Sequence, residues 1–229
     1  MSAKSSDVVD VPGSIAPGIV EQRDDGNTSL MLVFPSPIFR FNNLDIDPLN
    51  VVRAALENRQ FFPNFADGNY TSEDFMLQEE EVFAPLVEVI EARAAAALRT
   101  VLRYRLEDLK INTMWCNVHN PEPAASHFLH EHANSFFSGT YYAEVADDKS
   151  AIVFDTPLRT KVISPEIEEQ NYLNTMRHAV PVNTGDLLIW PSELRHGILP
   201  YESRQRRITV SFNMMPKGKL GGPTWNYVY

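Results

Sequence analysis

From residue 110 onward the chain breaks into short apolar runs at 111–119, 126–132, 136–145, 151–154, 178–182, 186–191 and 206–215. Polar or Gly/Pro turns separate them, and no helical pattern is interleaved. Many strands of this length without alternating helices predict an antiparallel barrel or sandwich. The segment Asn183-Thr184-Gly185-Asp186 is a turn signal just ahead of the apolar run Leu187–Trp190. The helices come earlier. Asp47-Pro48 reads as an N-cap followed by proline at the first helical position, opening a helix over about 47–60 with Val51, Val52, Ala55 and Leu56 on one stripe. A second helical region spans about 73–105, where Phe83, Leu86, Ile90, Ala94, Ala97, Leu98 and Val101 recur mostly three and four residues apart. Pro85 marks an initial turn or a kink within it. The expected architecture is mainly β with helical cover (α+β), as one domain over 29–229. A flexible arm over 1–28, rich in Ser, Asp, Gly and Pro, precedes it.

Composition narrows the function classes. The 20 Lys and Arg against 30 Asp and Glu give a net charge of −10, which argues against a general nucleic-acid or anionic-membrane surface. Cys116 is the single cysteine, so no intrachain disulfide forms and a reducing compartment fits. The first residues lack the pattern of a secretory signal, and no apolar stretch reaches the roughly 18 residues of a membrane span. A soluble, cytoplasmic protein is expected.

The chemistry-bearing residues cluster in the strand region. His130 and His132 sit at i and i+2, so in an extended segment both imidazoles face the same side. Taken alone, an H-x-H pair reads equally well as a polar pair on the surface or in the core. His196 adds weight: it follows the apolar run Leu187–Trp190, where a side chain can point into a barrel mouth. Three imidazoles from separated stretches could close one face of a metal ion, though Fe(II), Zn(II), Cu(II) and Ni(II) would all accept them. In Arg207–Asn213 the odd positions are polar and the even ones apolar, which predicts either an exposed face or a polar lumen holding Arg207, Thr209, Ser211 and Asn213. In a lumen Arg207 would bind a carboxylate bidentately and Thr209 would add a hydroxyl; Arg206 would point the other way.

Here the residues carry a family likeness. Residues 30–215 resemble the Fe(II)/2-oxoglutarate-dependent oxygenases, and most of all a bacterial and phage group of them. The matching segments are Val33–Phe39, His130–Tyr142, Gly185–Tyr201 and Arg206–Asn213. The resemblance implies a double-stranded β-helix (jelly-roll, cupin-like) core. It implies His130 and His132 as the proximal metal ligands, His196 as the distal one, Arg207 as the anchor of the 2-oxoglutarate distal carboxylate, and Thr209 beside it. Fe(II), 2-oxoglutarate and O2 are the implied cofactor and cosubstrates, with succinate as coproduct and hydroxylation of a small molecule or peptide as the usual outcome. One departure stands out: the wider superfamily places an acidic residue where this chain has His132. Glu131 would replace His132 if the segment were a loop or bulge, and His127 is a further alternative ligand.

Asn117, Ser138, Tyr141 and Asn213 are candidate groups for orienting the ligands. Tyr142 and Trp190 read as core or pocket-wall aromatics, His119 and His178 as structural or exposed, and Cys116 as a buried, inert thiol. Asp155 and Arg159 read as an ion pair. The rival functions are a three-histidine dioxygenase or cupin-like enzyme that needs no keto acid, and a non-catalytic small-molecule-binding β-barrel. A homodimer is a further expectation.

Overall fold

The computed structural model of the chain describes residues 19–22, 29–31, 35–64, 68–121, 126–145, 150–157, 163, 165–171, 173–199, 205–222 and 225–228. It separates into two units, residues 1–36 and 37–229. In the first, β1 (Ile19–Gln22) pairs antiparallel with β2 (Ser29–Met31), so part of the segment expected as an arm is strand. The rest of that arm, and Arg159 with it, lies outside the described residues.

The second unit opens with β3 (Phe39–Phe41), α1 (Pro48–Leu56), β4 (Phe61–Pro63) and β5 (Asn69–Ser72). Asp47 caps α1 by accepting from the Leu49 N–H, with Pro48 in the first turn, where its missing N–H costs nothing. The expected 73–105 helix is shorter. Two 3-10 turns, Leu77–Glu79 and Glu81–Phe83, lead into α2 (Ala84–Thr100), and Pro85 sits in its first turn. Proline cannot occupy a helix interior without clashing with the preceding turn, so it fixes the start.

The remaining strands are β6 (Asp108–His119), β7 (His127–His130), β8 (Phe137–Glu144), β9 (Ala151–Asp155), β10 (Arg177–Pro181), β11 (Leu187–Pro191), β12 (His196–Ile198), β13 (Arg207–Lys217), β14 (Lys219–Gly222) and β15 (Trp225–Val228). They form a seven-stranded sheet in the order β3-β11-β8-β13-β6-β5-β4 and a four-stranded sheet in the order β10-β9-β12-β7; β14 and β15 pair separately. All these pairings are antiparallel. This is the double-stranded β-helix.

Period-two alternation sorts the side chains. On one face of the large sheet Cys116, Val118, Tyr141, Leu187, Ile189, Ile208, Val210, Phe212 and Met214 pack with Leu86, Ile90, Ala94 and Leu98 of α2 in one buried cluster. Burying each large aliphatic or aromatic side chain contributes about 1.5–3 kcal/mol, so this layer holds the helices on. The opposite face carries polar residues over most of its length, and a smaller cluster of Tyr142, Ile152, Phe154, Leu188 and Trp190 fills the rest. Cys116 is fully buried, and burial pushes its thiol up to about 12, which makes it inert as a nucleophile. Among the described residues no helix is long and apolar enough to cross a membrane.

Candidate metal and cosubstrate site

The polar face of the large sheet forms the floor of a cavity with about 520 Å³ of empty space, partly open to solvent. Trp115, Asn117 and His119 of β6 line it beside Thr140 and Tyr142 of β8 and Arg207, Thr209 and Ser211 of β13. The odd face of β13 is therefore lumen; the strand lies between β6 and β8, which excludes the exposed-edge reading. Arg206 points outward and pairs with Glu144 at 3.0 Å.

Three imidazoles converge at the cavity. The ligand-competent atoms of His130, His132 and His196 all lie within 4.8 Å of one another. His130 ends β7 and is the direct cross-strand partner of His196 on β12. His132 lies beyond the strand end: its N–H donates to Ser192 O at 3.0 Å, and Asn134 takes the left-handed conformation at φ 55 to turn the chain. The extended i, i+2 geometry expected for 126–132 thus ends at His130, because the backbone must turn to reach β8. Glu131 is exposed, and neither Glu131 nor His127 belongs to the converging group.

The hydrogen-bond network assigns the tautomers. His130 Nδ1 lies 2.9 Å from Phe128 O, His196 Nδ1 lies 2.9 Å from Leu194 O, and His132 Nδ1 contacts Asn213 Oδ1. A carbonyl oxygen only accepts, so at His130 and His132 Nδ1 carries the hydrogen and Nε2 keeps its lone pair. At His196 the Trp190 indole N–H donates towards Nδ1 at 3.2 Å and competes there with Leu194 O, while the indole holds the ring edge-on, centroids 4.7 Å apart. Ser138 Oγ reaches both His132 Nδ1 at 3.0 Å and Asn213 Oδ1 at 2.8 Å, which fixes their mutual orientation.

Two Nε2 lone pairs meet at 3.0 Å between His130 and His132. They repel unless a cation or proton lies between them. Two nitrogens bound at right angles to one metal at about 2.1 Å each would be roughly 3 Å apart, so the geometry fits a divalent transition metal. All three imidazoles are held neutral, as ligation requires. Burial is the largest cause in each case, opposed by Phe128 O at His130 and by Asn213 at His132; at His196 the nearby His130 charge reinforces it.

Arg207 is 2% exposed and pairs with no carboxylate among the described residues. Its guanidinium sits 5.1 Å over the Tyr142 ring and reaches Ala151 O at 3.4 Å, while its Nε and the Tyr142 hydroxyl have no hydrogen-bond partner. A buried cation with idle donors fits a small anionic ligand.

The other expectations divide. Asn213 and Ser138 orient His132 as described. Asn117 instead links Thr71 Oγ1 at 2.8 Å to Ser211 Oγ at 3.1 Å. Tyr141 packs in the helix-side cluster and turns away from the cavity; its neighbour Tyr142 faces in, because parity along β8 puts adjacent residues on opposite faces. His178 is exposed, whereas His119 is 3% exposed and lines the cavity. Asp155 pairs with Arg177 at 2.8 Å and Arg195 at 3.7 Å. Gly197 was not singled out from the sequence. A Cβ there would meet His127 O at 2.7 Å and Phe128 O at 2.8 Å. Only glycine lets β12 approach β7 closely enough to bring His196 to His130. Gly197→Ala is expected to cost about 1–3 kcal/mol and to weaken metal uptake in parallel. Thermal melts and metal titrations check this; an unchanged variant would remove the close-approach argument.

Burial also makes stability pH-dependent. It holds His127 down to about 4, with the neighbouring His130 charge next. The unfolded chain then takes up a proton near the usual 6.5 that the fold refuses, so stability is full above 6.5 and declines as pH falls towards 4. Metal-free protein is expected to unfold at lower urea at about pH 5 than at about pH 7.5. Equal midpoints would mean that these imidazoles are solvated.

A jelly roll with a cluster of neutral histidines in its mouth and a buried arginine beside it defines a class of mononuclear metal proteins that take a small anionic cosubstrate. Residues 113–213 match the family described as "Putative 2OG-Fe(II) oxygenase". That segment resembles a 2-oxoglutarate- and Fe(II)-dependent oxygenase domain, and His130, His132, His196 and Arg207 all lie within it. No curated protein sequence matches it. Solved structures share the fold. HygX from Streptomyces hygroscopicus, with nickel, 2-oxoglutarate and hygromycin B bound, is 14% identical at a TM-score of 0.56, covering 79% of this chain and 83% of that one. A prolyl-4-hydroxylase from Pseudomonas putida is 14% identical at TM-score 0.53, covering 80% and 94%. A 2OG-Fe(II) oxygenase family oxidoreductase from Burkholderia pseudomallei is 12% identical at TM-score 0.55, covering 77% and 83%.

Proposed function

We propose that His130, His132 and His196 hold Fe(II) through Nε2, that Arg207 binds the distal carboxylate of 2-oxoglutarate with Thr209 beside it, and that the enzyme hydroxylates a small molecule or peptide. The observation carrying this reading is the convergence of His130, His132 and His196, whose ligand-competent atoms lie within 4.8 Å of one another, with Nδ1 of His130 and of His132 each on a carbonyl oxygen. Iron and the keto acid, when bound, would supply the oxidising power, with O2 as oxidant and succinate and CO2 as coproducts. The chain's residues bind, orient and exclude water. Phe128 and Asn213 hold His130 and His132 in the ligating tautomer, Leu194 O positions the His196 ring, and Trp190 and Phe154 wall it off, at centroid distances of 4.7 and 6.1 Å. Three neutral imidazoles would leave a bound divalent ion its full double charge, which would favour an anionic keto acid beside it.

Ring contacts run from Phe62 to Phe75 at 6.5 Å, on to Trp115 at 5.6 Å and then to His132 at 5.7 Å. Phe62 and Phe75 are exposed. This run supports an approach for a substrate with apolar or aromatic surface. The same reading puts the protein in the cytoplasm, where the lone Cys116 stays reduced. The test is formation of succinate from 2-oxoglutarate by anaerobically iron-loaded protein on admission of O2, without added substrate. Slow turnover above an iron-only control is expected; no turnover together with no 2-oxoglutarate binding would end the proposal.

A further inference from the structure

His119 is a buried histidine that the proposed mechanism does not use. It is 3% exposed, and neither Nδ1 nor Nε2 has a hydrogen-bond partner. A polar ring in such a place costs free energy unless something else satisfies it. Its position says what that is. On β6 it is the direct cross-strand partner of Arg207 on β13, and cross-strand partners project to the same face. Both line the cavity floor, one row beyond Asn117 and Thr209. Arg207 Nε and the Tyr142 hydroxyl in the same cavity also lack partners, so the idle polar atoms gather at one end. The converging group of three imidazoles does not include His119.

We propose that His119 donates a ring N–H to the distal carboxylate of the bound keto acid beside Arg207, so that this end of the cavity is a two-residue carboxylate clamp. The inference rests on the reading of Arg207 given above. A carboxylate offers enough lone pairs for a guanidinium and an imidazole together. The imidazole is neutral here, held well below its ordinary value first by burial and then by the Arg207 charge. It therefore adds a donor without a second cation to desolvate.

The test uses zinc-loaded full-length protein and two ligands: 2-oxoglutarate, and 2-oxobutanoate, which keeps the chelating end but lacks the distal carboxylate. Calorimetric titration of His119→Phe is expected to show 2-oxoglutarate binding about ten-fold more weakly, with 2-oxobutanoate unchanged. His119→Gln, which restores an N–H, is expected to recover part of the loss. If His119→Phe binds 2-oxoglutarate as the wild type does while Arg207→Met does not, His119 only fills space and the inference falls. Equal weakening of both keto acids overturns it too, since the effect would not be at the distal end. If Arg207→Met also binds normally, the reading of Arg207 itself has failed. Should the Phe variant not fold, nitrogen-labelled wild type decides. A slowly exchanging His119 ring N–H is expected on adding 2-oxoglutarate but not 2-oxobutanoate, and its absence overturns the inference.

Discussion

Replacing His196 with alanine is expected to abolish stable metal binding while the chain still folds. Losing a residue that merely orients a ligand already costs roughly 10–100-fold in metal affinity, so losing one ligand of three should cost more than about 100-fold. The site cannot recruit a substitute easily. Glu131 is solvent-exposed, and His127 is engaged with Phe128 O at 3.1 Å and sits outside the converging group. Folding should survive because the helix-side cluster does not include His196. Equilibrium dialysis against Fe(II) under anaerobic conditions, with metal counted per chain, makes the comparison. His178→Ala, at an exposed position on β10, serves as the control and should bind as the wild type does. Wild-type affinity in His196→Ala would dismantle the three-histidine centre.

Replacing Arg207 with methionine should separate binding from stability with opposite signs. A charge-assisted hydrogen bond contributes about 1.5–3 kcal/mol, so 2-oxoglutarate affinity should fall on the order of 10–150-fold. The ligand-free protein should melt no lower than the wild type. The wild-type guanidinium is 2% exposed, has only a long contact to Ala151 O at 3.4 Å, and leaves Nε without a partner. An apolar side chain of similar length avoids that desolvation cost while still packing on the Tyr142 ring. Lysine should rescue little, since it lacks the planar fork that meets a carboxylate with two parallel bonds. Melting curves with and without 2-oxoglutarate read both effects at once. A ligand-induced shift that survives in Arg207→Met would place the carboxylate elsewhere.

Much of this architecture was legible along the chain. Alternation in Arg207–Asn213 told core from lumen because a strand has only two faces, and Asp47-Pro48 marked a helix start because both residues suit a helix's first turn and little else. His130 and His132 stood out by their i, i+2 spacing, and His196 by following the apolar run Leu187–Trp190. Other features stayed hidden. The strand carrying His196 has only three residues, too short for any periodic pattern to register. Tyr141 and Tyr142 are adjacent, and no local property says which one faces the cavity until the register of β8 against β13 is set. His119 shares parity with Trp115 and Asn117 on β6, so a strict count along that strand would have put it on the lumen face.

Local sequence decided which segments become strands, which faces are apolar and which residue types can ligate a metal, since these follow from side-chain chemistry and a two-residue repeat. Tertiary structure alone decided that His196 stands across from His130, that Gly197 lets the two backbones close, and that Arg207 Nε and the His119 ring face one cavity without hydrogen-bond partners. Cross-strand register and the spacing of two sheets are set by packing over the whole domain. No window of the chain contains that information.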